Sequence, residues 1–160
     1  MEDVKKLVVF YSLSGNTRFI AEEIKRHENA DLLELKLDKE VGFLKFVRLI
    51  GRAMSRKKPE LKSYNLDINN YGFIYIGTPI WASHNAPAIN TFLTTNTIEN
   101  KKIALFCCHA GRGNGRAFKN IKAKLQGNEF VGELEITNPI KRGKDKSIKK
   151  LFDWLDKINE

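Results

Sequence analysis

The stretch that decides the fold is YSLSGNTR, residues 11–18, which joins an apolar run to a helical pattern. The preceding KLVVF, residues 6–10, is typical of a buried strand, and the following FIAEEIKR, residues 19–26, has the periodicity of a helix. The turn contains three hydroxyls and a glycine: Ser12, Ser14, Thr17 and Gly15. A helix N-terminus needs only one capping residue and can also bind a phosphate, so the turn by itself fits either role.

Apolar runs and helical patterns alternate along the rest of the chain. Predicted strands cover residues 6–11, 31–35, 73–77, 102–108 and 130–136. Predicted helices cover residues 17–26, 43–54, 86–93, 116–125 and 145–158, with Gly127 expected as the C-cap of the fourth helix. This alternation predicts an α/β fold, with a doubly wound five-stranded parallel sheet in a three-layer α/β/α arrangement.

Length and composition favour one globular domain spanning residues 1–160. The two cysteines are adjacent, at 107 and 108, and no CxxC spacing suggests a metal site. We therefore expect a reduced, cytoplasmic protein without a metal ion. The sequence shows neither a signal-peptide pattern nor an apolar run long enough to span a membrane, so membrane insertion is not expected.

Three polar or glycine-rich segments follow predicted strands one, three and four. They are SLSGNT at residues 12–17, GTPIWASHNAP at 77–87 and HAGRGNGR at 109–116. In doubly wound sheets, ligands bind beyond the carboxyl ends of the strands. We therefore expect the three segments to converge on one ligand, with Trp81 as a platform for it.

The three segments together resemble those of the flavodoxin-like FMN proteins, and the resemblance covers nearly the whole chain. Residues 12–17 match the phosphate-loop pattern [ST]-x-[ST]-G-x-T, and GTPIW and the glycine-rich third segment match in register. The resemblance implies the short-chain flavodoxin type, strand order 2-1-3-4-5, and non-covalently bound FMN. A phosphatase loop is excluded, because the residue at the arginine position of Cys-x5-Arg is Gly113 for Cys107 and Asn114 for Cys108.

The same resemblance implies a role for each matching residue. The FMN phosphate is expected at Ser12, Leu13, Ser14, Gly15, Asn16 and Thr17, held by hydroxyls and backbone N–H groups. Thr78, Pro79 and Ile80 would line the ribityl chain and ring edge, and Trp81 would stack on the isoalloxazine. The pyrimidine edge is expected at His109, Ala110, Gly111 and Gly113. The chemistry would belong to the flavin, so no catalytic side chain is expected.

The sequence departs from typical acidic flavodoxins in its charge. Its formal net charge is +9, and the three segments contain no Asp or Glu, whereas Arg18, Arg112 and Arg116 lie in or beside them. One Arg about 8 Å from the flavin would raise the reduction potential of the second one-electron step of the flavin by several tens of millivolts. An Arg side chain that points into solvent would have little effect on this potential. We therefore expect this potential to be less negative than in an acidic flavodoxin.

Two further departures concern the flavin ring. Ala82 stands where flavodoxins often have glycine, and alanine adopts a positive φ less readily. The third segment has no tyrosine to cover the second ring face, which is left open or covered by His84, Met54 or another residue. Both departures argue against strong stabilisation of a one-electron-reduced flavin.

Three functions are compatible with these residues, and the first of them is favoured. The first is a one-electron carrier that docks redox partner proteins, acidic ones in particular, at the flavin rim. The second is an NAD(P)H-dependent FMN quinone or flavin reductase, although GRGNGR has Arg116 at the third glycine position of a dinucleotide fingerprint. The third is nucleic-acid binding through basic clusters at residues 52–58 and 141–150. It is not expected, because neither cluster has interleaved aromatics.

Overall fold

The computed structural model describes residues 3–39 and 58–160. The predicted helix at 43–54, Met54 and most of the basic cluster at 52–58 therefore lie outside the described residues. Within them, the core of the fold is a sheet of five parallel strands: β1 (Lys6–Phe10), β2 (Asp31–Glu34), β3 (Phe73–Trp81), β5 (Lys102–His109) and β6 (Glu129–Thr137). A two-residue strand, β4 (His84–Asn85), pairs antiparallel with the end of β3.

The strand order is β2-β1-β3-β5-β6, with β4 attached to β3. The α/β fold class is thus confirmed, and the five parallel strands follow the predicted order. The sheet differs from the predicted one by β4, which makes it six-stranded.

Helices cover both faces of the sheet. They are α1 (Asn16–Glu28), α2 (Pro87–Thr95), α3 (Ala117–Lys124), the four-residue α4 (Pro139–Arg142) and α5 (Lys144–Asn159), with a 3-10 turn at Ile68–Asn70. Residues of α1 and α5 pack with Val8 and Phe10 on one face, and residues of α2 and α3 pack with Leu7 and Val9 on the other. These four β1 side chains are fully buried, which explains the unbroken apolar run in the sequence.

Three local features differ from the sequence predictions. The third strand continues through Trp81 instead of ending at Gly77, because Thr78 and Pro79 still pair with Cys107 and Cys108 of β5. The helix α3 is capped at Leu125 rather than at Gly127. The helix α4 was not predicted. It begins with a proline, which is compatible with a first helical position.

Opposite the carboxyl edge of the sheet, Glu28 at the end of α1 joins several elements. Its side chain is 3% exposed and pairs with Lys6 of β1. It also accepts a hydrogen bond from the Tyr75 hydroxyl at 3.1 Å and one from Asn159 Nδ2 at 3.0 Å, and it contacts His27 Nδ1 at 2.9 Å. Burial alone would raise the pKa of Glu28, but the hydrogen bonds from Lys6, His27 and Tyr75 lower it below its usual value.

The variant Glu28→Gln is expected to reduce the free energy of unfolding at pH 7 by about 1–2 kcal/mol, since Lys6 and Tyr75 lose a charged partner. A lowered folded-state pKa gives stability that is present above the unfolded pKa of about 4.3 and is lost as the pH falls through the folded pKa. The difference in the free energy of unfolding between wild type and variant should therefore become smaller as the pH falls from about 5 to about 3. Urea denaturation at several pH values measures it. The matched control is Glu99→Gln at an exposed position, and a gap independent of pH would contradict the expectation.

Candidate functional site

The turn between β1 and α1 forms an open cradle of backbone donors. Gly15 is the N-cap of α1 with φ +93°, and its N–H donates to Ser12 Oγ at 3.2 Å. The Phe19 N–H donates to the Gly15 carbonyl at 2.9 Å, which begins the helical hydrogen bonding. As far as the described residues go, no side chain caps this helix and no acidic residue lies in its first turn. The cradle is therefore suited to an anion bound by neutral groups.

The helix α4 forms one wall of this cradle. The Ile140 N–H donates to Asn16 Oδ1 at 3.3 Å, and Asn16 Nδ2 donates to Ser14 Oγ at 3.3 Å. Ile140 Cδ1 would lie 3.8 Å from a Cβ placed on Gly15. The side chains of Leu13 and Ile140 are 45% and 44% exposed, so the cradle has an apolar rim.

Thr17 lies deeper than the other hydroxyls of the turn. It is 1% exposed, and its side chain hydrogen-bonds with the Cys108 thiol, whose pKa is raised to about 12 by burial. The side chain is therefore held against the sheet, and Ser12 and Ser14 are the more accessible hydroxyls of the predicted phosphate loop.

The end of β3 turns back through a tight hairpin with unusual residues. Trp81 pairs with His84, so Ala82 and Ser83 form a two-residue turn, with φ values of +47° and +67°. Positive φ at both positions is typical of a type I′ turn, which favours Asn-Gly. Ala82 therefore already has a positive φ, the conformation that alanine adopts less readily than the glycine often found there in flavodoxins. The turn stores local strain at the rim of the candidate site.

The variant Ala82→Gly is expected to raise the free energy of unfolding by about 0.5–1 kcal/mol, because glycine removes the strain of a positive φ. Thermal or urea denaturation of the cofactor-free protein measures it. The control Ala123→Gly, at an exposed position of the helix α3, should instead lower stability by about 1 kcal/mol. A destabilising effect of Ala82→Gly would show that the turn is not strained.

A cavity of about 440 Å³ opens between this hairpin and the segment that follows β5. Its lining residues are Ile80, Ala82, Ser83, His109, Ala110, Gly111, Arg112 and Gly113. The Gly111 N–H donates to His109 Nδ1 at 3.0 Å, which leaves the proton of a neutral imidazole on Nε2. The cavity therefore brings together the middle of the second segment and the first five residues of the third, 109–113.

The second and third loops are joined directly. The Arg116 N–H donates to the Ser83 carbonyl at 2.7 Å. Gly115, with φ +57°, lies so close that an added Cβ would be 2.6 Å from both the Cβ and the carbonyl oxygen of Ser83. The absence of a side chain at 115 is what lets the two loops meet.

Glu135 of β6 is a functional candidate that the sequence analysis missed. Its Oε1 accepts a hydrogen bond from the Asn114 N–H at 2.8 Å and a second one from Asn114 Nδ2. Its oxygens would lie 3.6 and 3.7 Å from a Cβ on Gly113. A carboxylate therefore supports the third loop, although the loop itself contains none. Asn114 and Glu135 are 21 positions apart in the chain, so local sequence patterns do not reveal this contact.

Some predicted site residues do not line the cavity with their side chains. Thr78 is fully buried, where its hydroxyl donates to the Pro79 carbonyl at 2.8 Å and accepts from the Ala86 N–H at 2.9 Å. Trp81 is partly buried and packs edge-on against Tyr11, with ring centroids 5.7 Å apart. His84 Nδ1 donates to the Ala82 carbonyl at 2.7 Å, as expected for a side chain that stabilises the hairpin. The stacking role of Trp81 and the ribityl role of Thr78 remain predictions.

The charge of the site is less positive than the sequence indicated. Arg18 forms an ion pair with Glu34 of β2, and its Nε donates to Glu34 Oε1 at 3.1 Å. Arg112 lies on the cavity lining, and Arg116 is exposed beside it. The predicted rise in flavin potential therefore depends on Arg112 and Arg116, and the Glu135 carboxylate opposes it.

The residues present fit a flavin mononucleotide. The cradle at the end of β1 supplies neutral donors for a phosphate. The cavity at the ends of β3 and β5 supplies the apolar side chain of Ile80 and backbone amides for the polar edge of the flavin ring.

Across residues 3–39 and 58–160, no cluster of three or more His, Cys, Asp or Glu side chains is arranged to hold a metal ion. In the same ranges, no helix has the length and apolar character needed to cross a membrane.

Comparison with known proteins decides the family. The sequence model of the flavodoxin family matches residues 5–157. The chain belongs to the flavodoxin family. Its curated relatives include the flavodoxin-like domain-containing protein BilS of Clostridioides difficile (strain CD3), which is 28% identical over 145 residues, 88% of this chain and 69% of that protein.

Solved flavodoxin-like structures agree with this assignment. The flavoprotein of Lactobacillus acidophilus NCFM, crystallised in complex with FMN, is 26% identical, with a TM-score of 0.70 over 89% of this chain and 97% of that chain. A structure from Bacteroides eggerthii DSM 20697 has a TM-score of 0.77 over 99% of both chains. It is 23% identical, so it shows the flavodoxin-like fold alone.

Proposed function

We propose that this chain binds FMN non-covalently and carries electrons between redox proteins. The observation that carries the proposal is the cradle at residues 12–17, which lies beside the 440 Å³ cavity at the carboxyl edge of the sheet. The FMN-bound Lactobacillus acidophilus flavoprotein, which shares this fold, supports FMN as the cofactor. The flavin supplies the redox chemistry when bound, and the chain binds, orients and shields it.

In this proposal, Ser12, Ser14 and the N–H groups of the first turn of α1 bind the phosphate. Ile80 and the backbone of residues 109–113 position the ring in the cavity. The His109 proton on Nε2 and the amides of the third loop provide hydrogen-bond donors, while Glu135 keeps the third loop in place through Asn114. No side chain is required as a nucleophile or a general base.

The proposed partner is an acidic redox protein that docks at the rim of the cradle. Leu13 and Ile140 form an exposed apolar centre there, and Lys141 and Arg142 of α4 lie next to it and are exposed. An apolar centre with a basic rim complements an acidic surface and would make association strongly dependent on salt. A cytoplasmic location belongs to the same proposal and is supported by two buried free thiols, Cys107 and Cys108.

The reductase alternative is favoured by one observation. Arg112 lines the cavity, and among the described residues it forms no ion pair, so it can bind a phosphate of a nicotinamide cofactor. Anaerobic mixing of the FMN-loaded protein with NADH or NADPH tests this. Rapid bleaching of the flavin would favour the reductase, and an unchanged spectrum would favour the electron carrier.

The affinity of the protein for FMN, compared with riboflavin, tests the proposed cofactor. We expect FMN to bind more than about tenfold tighter, because each hydrogen bond to its charged phosphate contributes roughly 1.5–3 kcal/mol. Quenching of flavin fluorescence during titration of the cofactor-free protein measures both affinities. The variant Ser14→Ala should weaken FMN binding and leave riboflavin binding unchanged. Equal affinities for the two flavins would show that the cradle does not hold the phosphate.

A further inference from the structure

A second cavity, of about 270 Å³, lies at the carboxyl end of β6. Its lining residues are Ile136, Thr137, Arg142, Gly143, Lys146, Ser147 and Lys150. Three of the seven are cationic and two carry hydroxyls, whereas no carboxylate is among them. The three cationic residues are exposed, and an anion bound among them would be attracted by all three charges.

The cationic side chains of this basic cavity form no ion pairs among the described residues. Lys150 Nζ donates to the backbone carbonyl of Glu135 at 2.7 Å, so its position is fixed while its charge is left free. Lys149 provides a contrast, because it pairs with Asp153 at 2.8 Å on the same helix.

We propose that the basic cavity binds a phosphate group of a small ligand, at a site whose lining includes none of residues 12–17 of the cradle. A guanidinium group, two ammonium groups and the Thr137 hydroxyl together match a dianion with several acceptor oxygens. The cradle uses mainly neutral donors, so the two sites differ in chemistry. The proposal does not rest on FMN binding, because it depends only on the residues of the basic cavity.

The position of the basic cavity suggests how a ligand could use it. Thr137 pairs with His109 in the β5–β6 register, and the Asn138 N–H donates to the His109 carbonyl at 2.9 Å. His109 also lines the 440 Å³ cavity. The two cavities therefore lie at the ends of neighbouring strands of the sheet. Free inorganic phosphate and a nucleotide phosphate share the required chemistry.

The test is a titration of FMN-loaded, ¹⁵N-labelled protein with inorganic phosphate at constant ionic strength, followed by amide chemical shifts. We expect saturable shifts confined to residues 137–150. The double variant R142Q/K146Q should weaken phosphate binding by about tenfold or more, since it removes two charged donors. The matched control K119Q/K124Q removes the same charge from exposed positions of α3 and should bind phosphate like the wild type.

Competition with 2′,5′-ADP, which is redox-inert, identifies the source of the phosphate. Displacement of inorganic phosphate from residues 137–150 would indicate a nucleotide ligand, and failure to displace it would indicate the free ion; both results keep the site. Shifts that do not saturate, or equal weakening in the two double variants, would overturn the proposal. If the protein takes up no FMN, the proposed function fails, but the same variants still separate the basic cavity from the cradle in the cofactor-free protein.

Discussion

Replacing Gly115 with alanine is expected to weaken FMN binding by about 100-fold and to lower the free energy of unfolding by about 2–5 kcal/mol. The added Cβ would lie 2.6 Å from the Ser83 backbone, which is too close for any real contact. Alanine at φ +57° adds a strain of about 1–2 kcal/mol, and relief of the overlap costs about 1–3 kcal/mol more. The third loop must then move away from the hairpin and lose the hydrogen bond from Arg116 to Ser83.

Fluorescence titration with FMN and urea denaturation of the cofactor-free protein measure these two effects. The matched control is Gly127→Ala, because Gly127 has φ +88° with nothing within 4 Å of an added Cβ. This control should show only the backbone strain and leave FMN affinity unchanged. If the two variants lose equal stability and neither loses affinity, the contact between Gly115 and Ser83 does not shape the site.

Gly77→Ala is expected to lower the free energy of unfolding by about 3 kcal/mol or more. Gly77 lies in the middle of the sheet, where an added Cβ would be 2.1–2.7 Å from three atoms of the Phe106 ring. Phe106 is fully buried, so its ring can move only by disturbing the core on that face. Overpacking of this kind usually costs about 1–3 kcal/mol, and a central strand that joins two neighbours has little freedom to adapt.

A double-mutant cycle with Phe106→Ala separates this clash from a general weakening of β3. Phe106→Ala alone should cost about 3–5 kcal/mol, because it leaves a cavity. In the double variant, the new methyl group occupies part of that cavity, so the total loss should be smaller than the sum of the single losses by more than about 1 kcal/mol. Additive losses in urea denaturation would mean that Gly77 and Phe106 do not interact.

The sequence predicted the architecture because the signals for it are local. Unbroken apolar runs such as KLVVF identify buried parallel strands, and each predicted strand has a counterpart in the described sheet. The end of β3 was predicted less well. Gly77 and Pro79 are residues typical of a turn, yet the pairing of β3 with β5 continues to Pro79. The turn at Ala82 and Ser83 was missed as a hairpin, because this geometry usually requires Asn-Gly.

The candidate site was predictable in its location and less so in its details. Residues 12–17, Ile80 and residues 109–113 lie at the carboxyl edge of the sheet, as expected. The partners of the charged side chains could not be predicted, because they lie far apart in the sequence. Arg18 and Glu34 are separated by 16 positions, and Asn114 and Glu135 by 21. The burial of Thr78 was equally hidden, because its hydrogen-bond partner Ala86 lies beyond the hairpin.

The contacts of Glu28 have a practical consequence for electrochemistry. Lys6 and Asn159 both reach this carboxylate, so the first strand begins and the last helix ends at the amino edge of the sheet. The cradle and both cavities lie at the carboxyl edge, on the far side of the strands. A surface tether attached beside either of these residues would therefore leave the flavin rim facing solution. An immobilised layer of the protein should exchange electrons with dissolved partners more readily than with the electrode beneath it.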